Sequence, residues 1–161
     1  MKIGVISDTH GFFDYKLRRF LENVDEIWHA GDIGSLKVAD EIAEFKPLYA
    51  VHGNIDDAET RVVYPRVLEL RRENLGIIIS HIVGYPGKYS ANSGDFLQKK
   101  PKILVGGHSH ILKIMYDKKN ELLFMNPGAA GISGFHRVRT ALRFNIKGEE
   151  IEGMEVGEWD K

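Results

Sequence analysis

Lys2-Ile3-Gly4-Val5-Ile6-Ser7-Asp8-Thr9-His10-Gly11 is a short apolar run that stops abruptly on an aspartate and a histidine. Ile3 to Ser7 is rich in branched residues and too short for a helix, so it reads as a buried strand. The groups able to do chemistry follow it at once. The pattern then repeats. From Tyr15 to Leu21 the apolar residues Leu17, Phe20 and Leu21 have helical spacing, and Glu26-Ile27-Trp28-His29-Ala30 reads as a second strand that ends at Gly31-Asp32. Ser35 caps a helix that carries Val38, Ile42 and Phe45 on one side. Pro47 to Val51 reads as a third strand ending at His52-Gly53-Asn54. This β-α-β-α-β order implies a parallel sheet. In such sheets the ligand crevice lies beyond the carboxyl ends of the strands, where Asp8, His10, Asp32 and Asn54 would converge.

Further strands are expected at Leu75 to Ser80, which delivers His81, and at Ile103 to Val105, which delivers His108 and His110. The segments around Val67 to Leu70, Ile111 to Tyr116, Leu122 to Met125 and Val138 to Ile146 look more antiparallel, with turn residues such as Lys119-Asn120 between them. A second sheet packed on the first follows. The acidic stretch from Gly148 onward carries no recognisable chemistry.

A chain of 161 residues suits one domain, expected to span 1–161, and is long enough to bury most of its unfolded surface. Hydrophobic residues make up 43% and charged residues 28%, ordinary values for a globular protein, and no repeat or low-complexity tract interrupts the sequence. A net charge of −1 argues against a surface built to neutralise nucleic-acid backbone, yet leaves nucleic acid open as a substrate. There is no cysteine, so any transition metal must be held by nitrogen and oxygen. The apolar run after Lys2 is too short for a signal peptide or a membrane span, and a cytoplasmic protein without a membrane partner is the expectation. A homodimer or higher homo-oligomer is a fair prior for a small enzyme, though no stretch identifies an interface.

Seven residues stand apart: Asp8, His10, Asp32, Asn54, His81, His108 and His110. Each is a hard or borderline ligand placed just after an expected strand of the sheet. Taken singly, an Asp-x-His pair reads as a cap with a surface histidine, and Gly-Asp or Gly-Asn as a turn. The ordered set is far more specific than its members. It offers too many donors for one four-coordinate metal, so two ions sharing a carboxylate are the economical solution, with Asp32 as the bridge.

Asp8-Thr9-His10, Gly31-Asp32, Gly53-Asn54, His81 and Gly107-His108-Ser109-His110 together resemble, in order, the signature of the calcineurin-like metallophosphoesterases. The short spacing and Asn126-Pro127-Gly128 look most like the small bacterial and archaeal phosphodiesterase branch. The resemblance implies an α/β fold of two mixed β-sheets packed as a sandwich flanked by helices, a four-layer αββα arrangement. It implies one metal held by Asp8, His10, Asp32 and His110, and another held by Asp32, Asn54, His81 and His108. Mn²⁺ is the usual ion of the family, and Ni²⁺, Co²⁺, Zn²⁺ or Fe would suit the same donors. Two cations sharing a solvent molecule lower its pKa and clamp the phosphate oxygens, so a metal-bridging hydroxide can attack a small or nucleotide-like diester without a protein nucleophile.

Three departures from the family pattern stand out. Ile55, followed by Asp56, occupies the place where larger members carry a leaving-group histidine. Ile82 follows His81 where glycine is common, and Ala129-Ala130 follows Asn126-Pro127-Gly128 where serine is common. His52 and His136 are the substitutes for the missing acid, each read first as a surface histidine or as a support for a ligand. Phe12, Phe13, Tyr85 and Tyr89 are read as core or interface aromatics before a site-mouth role. The alternatives to a diesterase are a phosphomonoesterase with the same centre and a catalytically inactive protein-binding scaffold of the same fold.

Overall fold

Gly4 explains how the first layer closes: a Cβ there would lie 2.5 Å from Leu21 Cδ2, so the glycine lets a helix settle directly on the strand. The computed structural model describes residues 1–161. Its N-terminal half runs β1 (Lys2–Ile6), α1 (Tyr15–Leu21), β2 (Glu26–His29), α2 (Leu36–Phe45), β3 (Leu48–Ala50), α3 (Ala58–Val63), β4 (Val67–Arg72) and β5 (Leu75–Ser80). There follow β6 (Gly84–Tyr85), β7 (Lys88–Tyr89), α4 (Gly94–Gln98), β8 (Ile103–Val105), β9 (Leu112–Asp117), β10 (Leu122–Pro127), β11 (Val138–Lys147) and β12 (Glu150–Asp160). Side chains accept the free amide hydrogens that begin the first three helices: Asp14 from Leu17, Ser35 from Val38 and Asp57 from Thr60.

Two five-stranded sheets result, ordered β12-β11-β1-β2-β3 and β4-β5-β8-β10-β9. In the first, β1, β2 and β3 are parallel while β11 and β12 run antiparallel. In the second, β5, β8 and β10 are parallel and the edge strands β4 and β9 are antiparallel. The expected sandwich and the antiparallel β4, β9 and β11 are therefore present. The sequence reading differs from this arrangement in two respects. β10, expected to be antiparallel, runs parallel to β8 and antiparallel only to the edge strand β9. β5 and β8, which deliver His81, His108 and His110, belong to the second sheet and do not extend the first. Both strands are apolar on both faces, so their sequences are compatible with either sheet.

The period of two sorts the core into three layers. Ile3, Val5, Trp28 and Phe144 from one sheet meet Ile77, Ile79, Ile103 and Val105 from the other. Ile6 and Ile27 face outward to Leu17, Leu21 and Ile42 on α1 and α2. Ile78 and Leu104 face outward to Phe96 on α4. Three apolar interfaces separate four layers, and the carboxyl ends of β1, β2, β3, β5 and β8 open at one rim of the sandwich. No helix is long and apolar enough to cross a membrane.

Candidate metal centre

At that rim the seven singled-out residues meet. Asp8, His10 and His110 form one group and Asp32, His81 and His108 a second, with the potential ligand atoms within 4.8 Å of one another in each. Asp32 Oδ2 lies 3.6 Å from His10 Nε2 and 3.3 Å from His81 Nε2, between the two groups. His110 Nε2 is 3.2 Å from Asp8 Oδ1, and Asn54 Oδ1 is 3.0 Å from His81 Nε2.

The protein's own hydrogen bonds leave the inward atoms free. Asp8 Oδ2 accepts from Ser7 Oγ at 2.6 Å and from the His108 amide at 3.1 Å, whereas Asp8 Oδ1 and His10 Nε2 are buried without a hydrogen-bond partner. Stranding two such atoms is costly unless a cation meets them. Two histidine tautomers are fixed as well. His81 Nδ1 sits 2.7 Å from the Ala30 carbonyl, which can only accept, so Nδ1 carries the proton and Nε2 is the ligand atom. By the same logic His136 donates from Nε2 to the Gly131 carbonyl at 2.9 Å, so its Nδ1 accepts from His110 Nδ1 at 3.1 Å and frees His110 Nε2. The residues present thus fit a hard or borderline cation.

Backbone torsions point to the same cluster. Asp8, His10, Asp32, His108 and His110 have φ of 52°, 47°, 55°, 68° and 59°, and only Glu73, Lys100 and Glu121 share a positive φ among the other non-glycine residues. That left-handed region is uncommon outside glycine and is least unfavourable for Asn, Asp and His.

The acidic and imidazole groups of the cluster shift one another's titration. Burial works against the Asp32 carboxylate, but hydrogen bonds from His81 and Ile55 and the charges of His81 and His10 hold its pKa below the usual range. Burial likewise opposes the His81 imidazolium, and Asp32 and Asp8 overcome it and raise its pKa.

Two supports escaped the sequence reading. Asp56 accepts from the Ile33, Gly34 and Gly53 amides at 3.1, 2.8 and 2.8 Å, which ties the Asp32 loop to the Asn54 loop. The signal was available, since Asp56 follows the departure at Ile55. His29, fully buried, accepts from the Gly31 amide at 3.1 Å and donates to Thr9 Oγ1 at 2.9 Å, and Thr9 Oγ1 in turn donates to the Ile33 carbonyl at 2.9 Å. Burial pushes the His29 pKa from 6.5 down to about 4, against the pull of Asp56 and Asp8. The unfolded chain therefore binds this proton first. Stability from a neutral His29 is complete above pH 6.5 and drains away as pH falls toward about 4. The total is about 3 kcal/mol. Urea unfolding of chelator-treated protein should show a steeper decline over this interval than a His29→Asn variant; equal slopes would refute the assignment.

Residues 1–149 match the calcineurin-like phosphoesterase superfamily domain. The chain belongs to this superfamily. A probable metallophosphoesterase from Methanocaldococcus jannaschii is 32% identical over 141 residues, 80% of this chain and 68% of that protein. Another from Methanothermobacter thermautotrophicus is 28% identical over 141 residues, with 80% and 77% covered. Among solved structures, Vps29 from Entamoeba histolytica complexed with Zn²⁺ superposes with a TM-score of 0.78 at 18% identity, covering 99% of each chain. That likeness is one of fold.

Ala129 and Ala130, which follow Asn126-Pro127-Gly128, are fully buried. Gly131 beyond them is packed so tightly that a Cβ would lie 2.2 Å from the Thr9 carbonyl oxygen. His136 has both ring nitrogens committed, and it is pushed toward the neutral form by burial and by His110. His52 Nδ1 donates to the Gly53 carbonyl at 3.2 Å, which leaves its Nε2 as the uncommitted imidazole nitrogen beside the centre. Phe13 is buried as expected, and Phe12 lies under the Arg139 guanidinium at 4.7 Å. Tyr89 packs against the third apolar layer, in line with the core reading, whereas Tyr85 departs from it and is exposed; both line a cavity of about 520 Å³ that His108 also lines. The cause is the β6-β7 hairpin, which carries them over the rim.

Proposed function

We propose that this chain is a dinuclear phosphodiesterase that hydrolyses small or nucleotide-like phosphate diesters, with Mn²⁺ the preferred ion. The observation that carries the reading is the position of Asp32 Oδ2 between His10 and His81, one histidine from each group. Asp8, His10, Asp32 and His110 would hold one ion, and Asp32, Asn54, His81 and His108 the other. A bound pair supplies an activated water near neutral pH and counter-charge for the phosphate oxygens. The chain's share is to fix the donors: Asp56 locks the two loops, Ala30 orients His81, and His136 orients His110.

Two recesses favour a diester over a monoester. The cavity of about 520 Å³ is walled by Tyr85, Tyr89, Lys113 and His108, and Lys113 Nζ lies 3.9 Å from the Tyr85 ring centroid. A smaller one of about 230 Å³ adjoins Asn54 and His81. Ile82, exposed, lines both and stands between them. Each arm of a diester then has a wall to lie against, and a flat aromatic arm suits the Tyr85 side.

Chelator-stripped protein should hydrolyse neither bis(p-nitrophenyl) phosphate nor p-nitrophenyl phosphate, and Mn²⁺ should restore activity with the diester turned over faster. The reverse ratio would identify a monoesterase. Silence with every divalent ion would identify a non-catalytic scaffold.

A further inference from the structure

The smaller recess has a chemical character of its own. His52, Arg61, Arg66 and Asn92 line it together with Asn54 and His81, and no carboxylate does. Arg18, Arg72, Arg139 and Arg143 pair with acidic side chains elsewhere in the chain. Arg61 and Arg66, like Arg19, Arg71 and Arg137, pair with none, and these two share one recess. Arg61 is held by backbone carbonyls alone: Nε donates to Asp56 at 2.7 Å, and the Nη2 nitrogen donates to Asn54 at 2.9 Å and to Gly53 at 3.4 Å. These bonds fix its plane and leave its charge unneutralised. Arg66 makes no side-chain hydrogen bond or ion pair, and its guanidinium is free to turn toward the recess.

Two guanidinium forks and an imidazole, gathered without a counter-ion and sharing two walls with the metal centre, suit a dianion. A carboxylate would be matched by one fork. A phosphate monoester has the charge and the oxygens for both.

We propose that this recess binds a second phosphate carried on one arm of the substrate, so that the preferred diesters bear a further phosphomonoester group. This rests on the phosphodiesterase reading above. The scissile phosphate sits at the Asp32 centre, the terminal phosphate engages Arg61 and Arg66, and the arm beyond the scissile bond lies toward Tyr85. Arg66 is then a specificity residue for the length and charge of the ester, with no part in the reaction at phosphorus.

The test compares p-nitrophenyl thymidine 5′-phosphate with the same ester carrying a 3′-phosphate, both hydrolysed by Mn²⁺-loaded protein at low ionic strength. The phosphorylated ester should have a kcat/KM about tenfold higher, mainly through KM. Arg66→Gln should erase most of that advantage and change the constant for the plain ester far less than that for the phosphorylated one. Equal constants for the two esters in the wild type, or an advantage untouched in Arg66→Gln, would overturn the proposal. Calorimetric binding of thymidine 3′,5′-bisphosphate and thymidine 5′-monophosphate, with Mn²⁺ present, separates this idea from the one beneath it. If neither ester is hydrolysed but the bisphosphate still binds more tightly to wild type than to Arg66→Gln, the recess stands and the diesterase reading falls. If both esters are hydrolysed alike and the bisphosphate binds wild type and variant alike, the recess falls alone.

Discussion

Asparagine in place of Asp32 is expected to lower kcat for bis(p-nitrophenyl) phosphate by roughly 10³-fold, and to lower the melting temperature of the chelator-treated protein near neutral pH but not at acid pH. The first effect follows from geometry, because Asp32 Oδ2 is the atom that reaches both groups of ligands. An amide keeps an oxygen for the Ile55 amide, which now donates to Asp32 Oδ1 at 3.0 Å, but brings a nitrogen or a neutral oxygen where an anion is needed. The second effect follows from charge. Although burial opposes it, hydrogen bonds from His81 and Ile55 and the charges of His81 and His10 favour the Asp32 carboxylate in the folded state and hold its pKa below the usual range. The stability this contributes is present above the unfolded carboxylate pKa and is lost as pH falls, so asparagine forfeits it near neutral pH. Metal analysis should find at most one tightly held Mn²⁺ in the variant. Activity within tenfold of wild type would eliminate Asp32 as the bridge.

Gly53→Ala should damage both folding and activity. A Cβ at this position would lie 2.0 Å from Asp32 Oδ1, 2.4 Å from the Asp32 nitrogen and 2.7 Å from its Cγ. Neither side can yield cheaply, since Asp56 holds the Gly53 amide and also the Ile33 amide next to Asp32. The misfit is expected to cost about 1–3 kcal/mol, as other overpacked interiors do. Displacing the Asp32 carboxylate by even an ångström should slow turnover about 10²-fold. Denaturant unfolding and steady-state rates on the same preparation check both, and the contrast with Asp32→Asn is diagnostic, because the steric penalty at Gly53 persists at acid pH whereas the charge penalty at Asp32 fades there. A variant with wild-type melting and wild-type rate would show that the two loops have slack between them.

What could be read in advance follows from how strongly each element imprints on its own residues. β1, α1, β2, α2 and β3 alternate between short runs buried on both faces and amphipathic stretches opened by Asp14 or Ser35, so their order was plain. α3 spans only Ala58–Val63, with Val62 87% exposed, and shows no periodicity. The β6-β7 hairpin pairs two residues a side, too few to leave a pattern. β12 is an edge strand carrying Glu150, Glu152, Glu155, Glu158 and Asp160, a composition that guards an open edge but reads as a polar tail. At the site, the seven donors were legible because each ends a strand. Asp56 and His29 were not, because their work is to bind amides and hydroxyls about 20 residues away in the chain, and a histidine inside an apolar strand resembles any core residue. The arginine recess was hidden for a similar reason: Arg61 and Arg66 come from a short helix and the turn after it, and only folding sets them beside Asn54.

The left-handed torsions at Asp8, His10, Asp32, His108 and His110 weigh on how such a protein drifts over generations. Each is a standing disadvantage of about 1 kcal/mol or more that glycine would remove. A lineage that stopped needing the ions would be drawn toward glycine at these five places, gaining stability with every exchange. Among sister sequences, glycine at several of them would therefore mark an abandoned centre even where a histidine or two lingers, and this chain has made none of those exchanges.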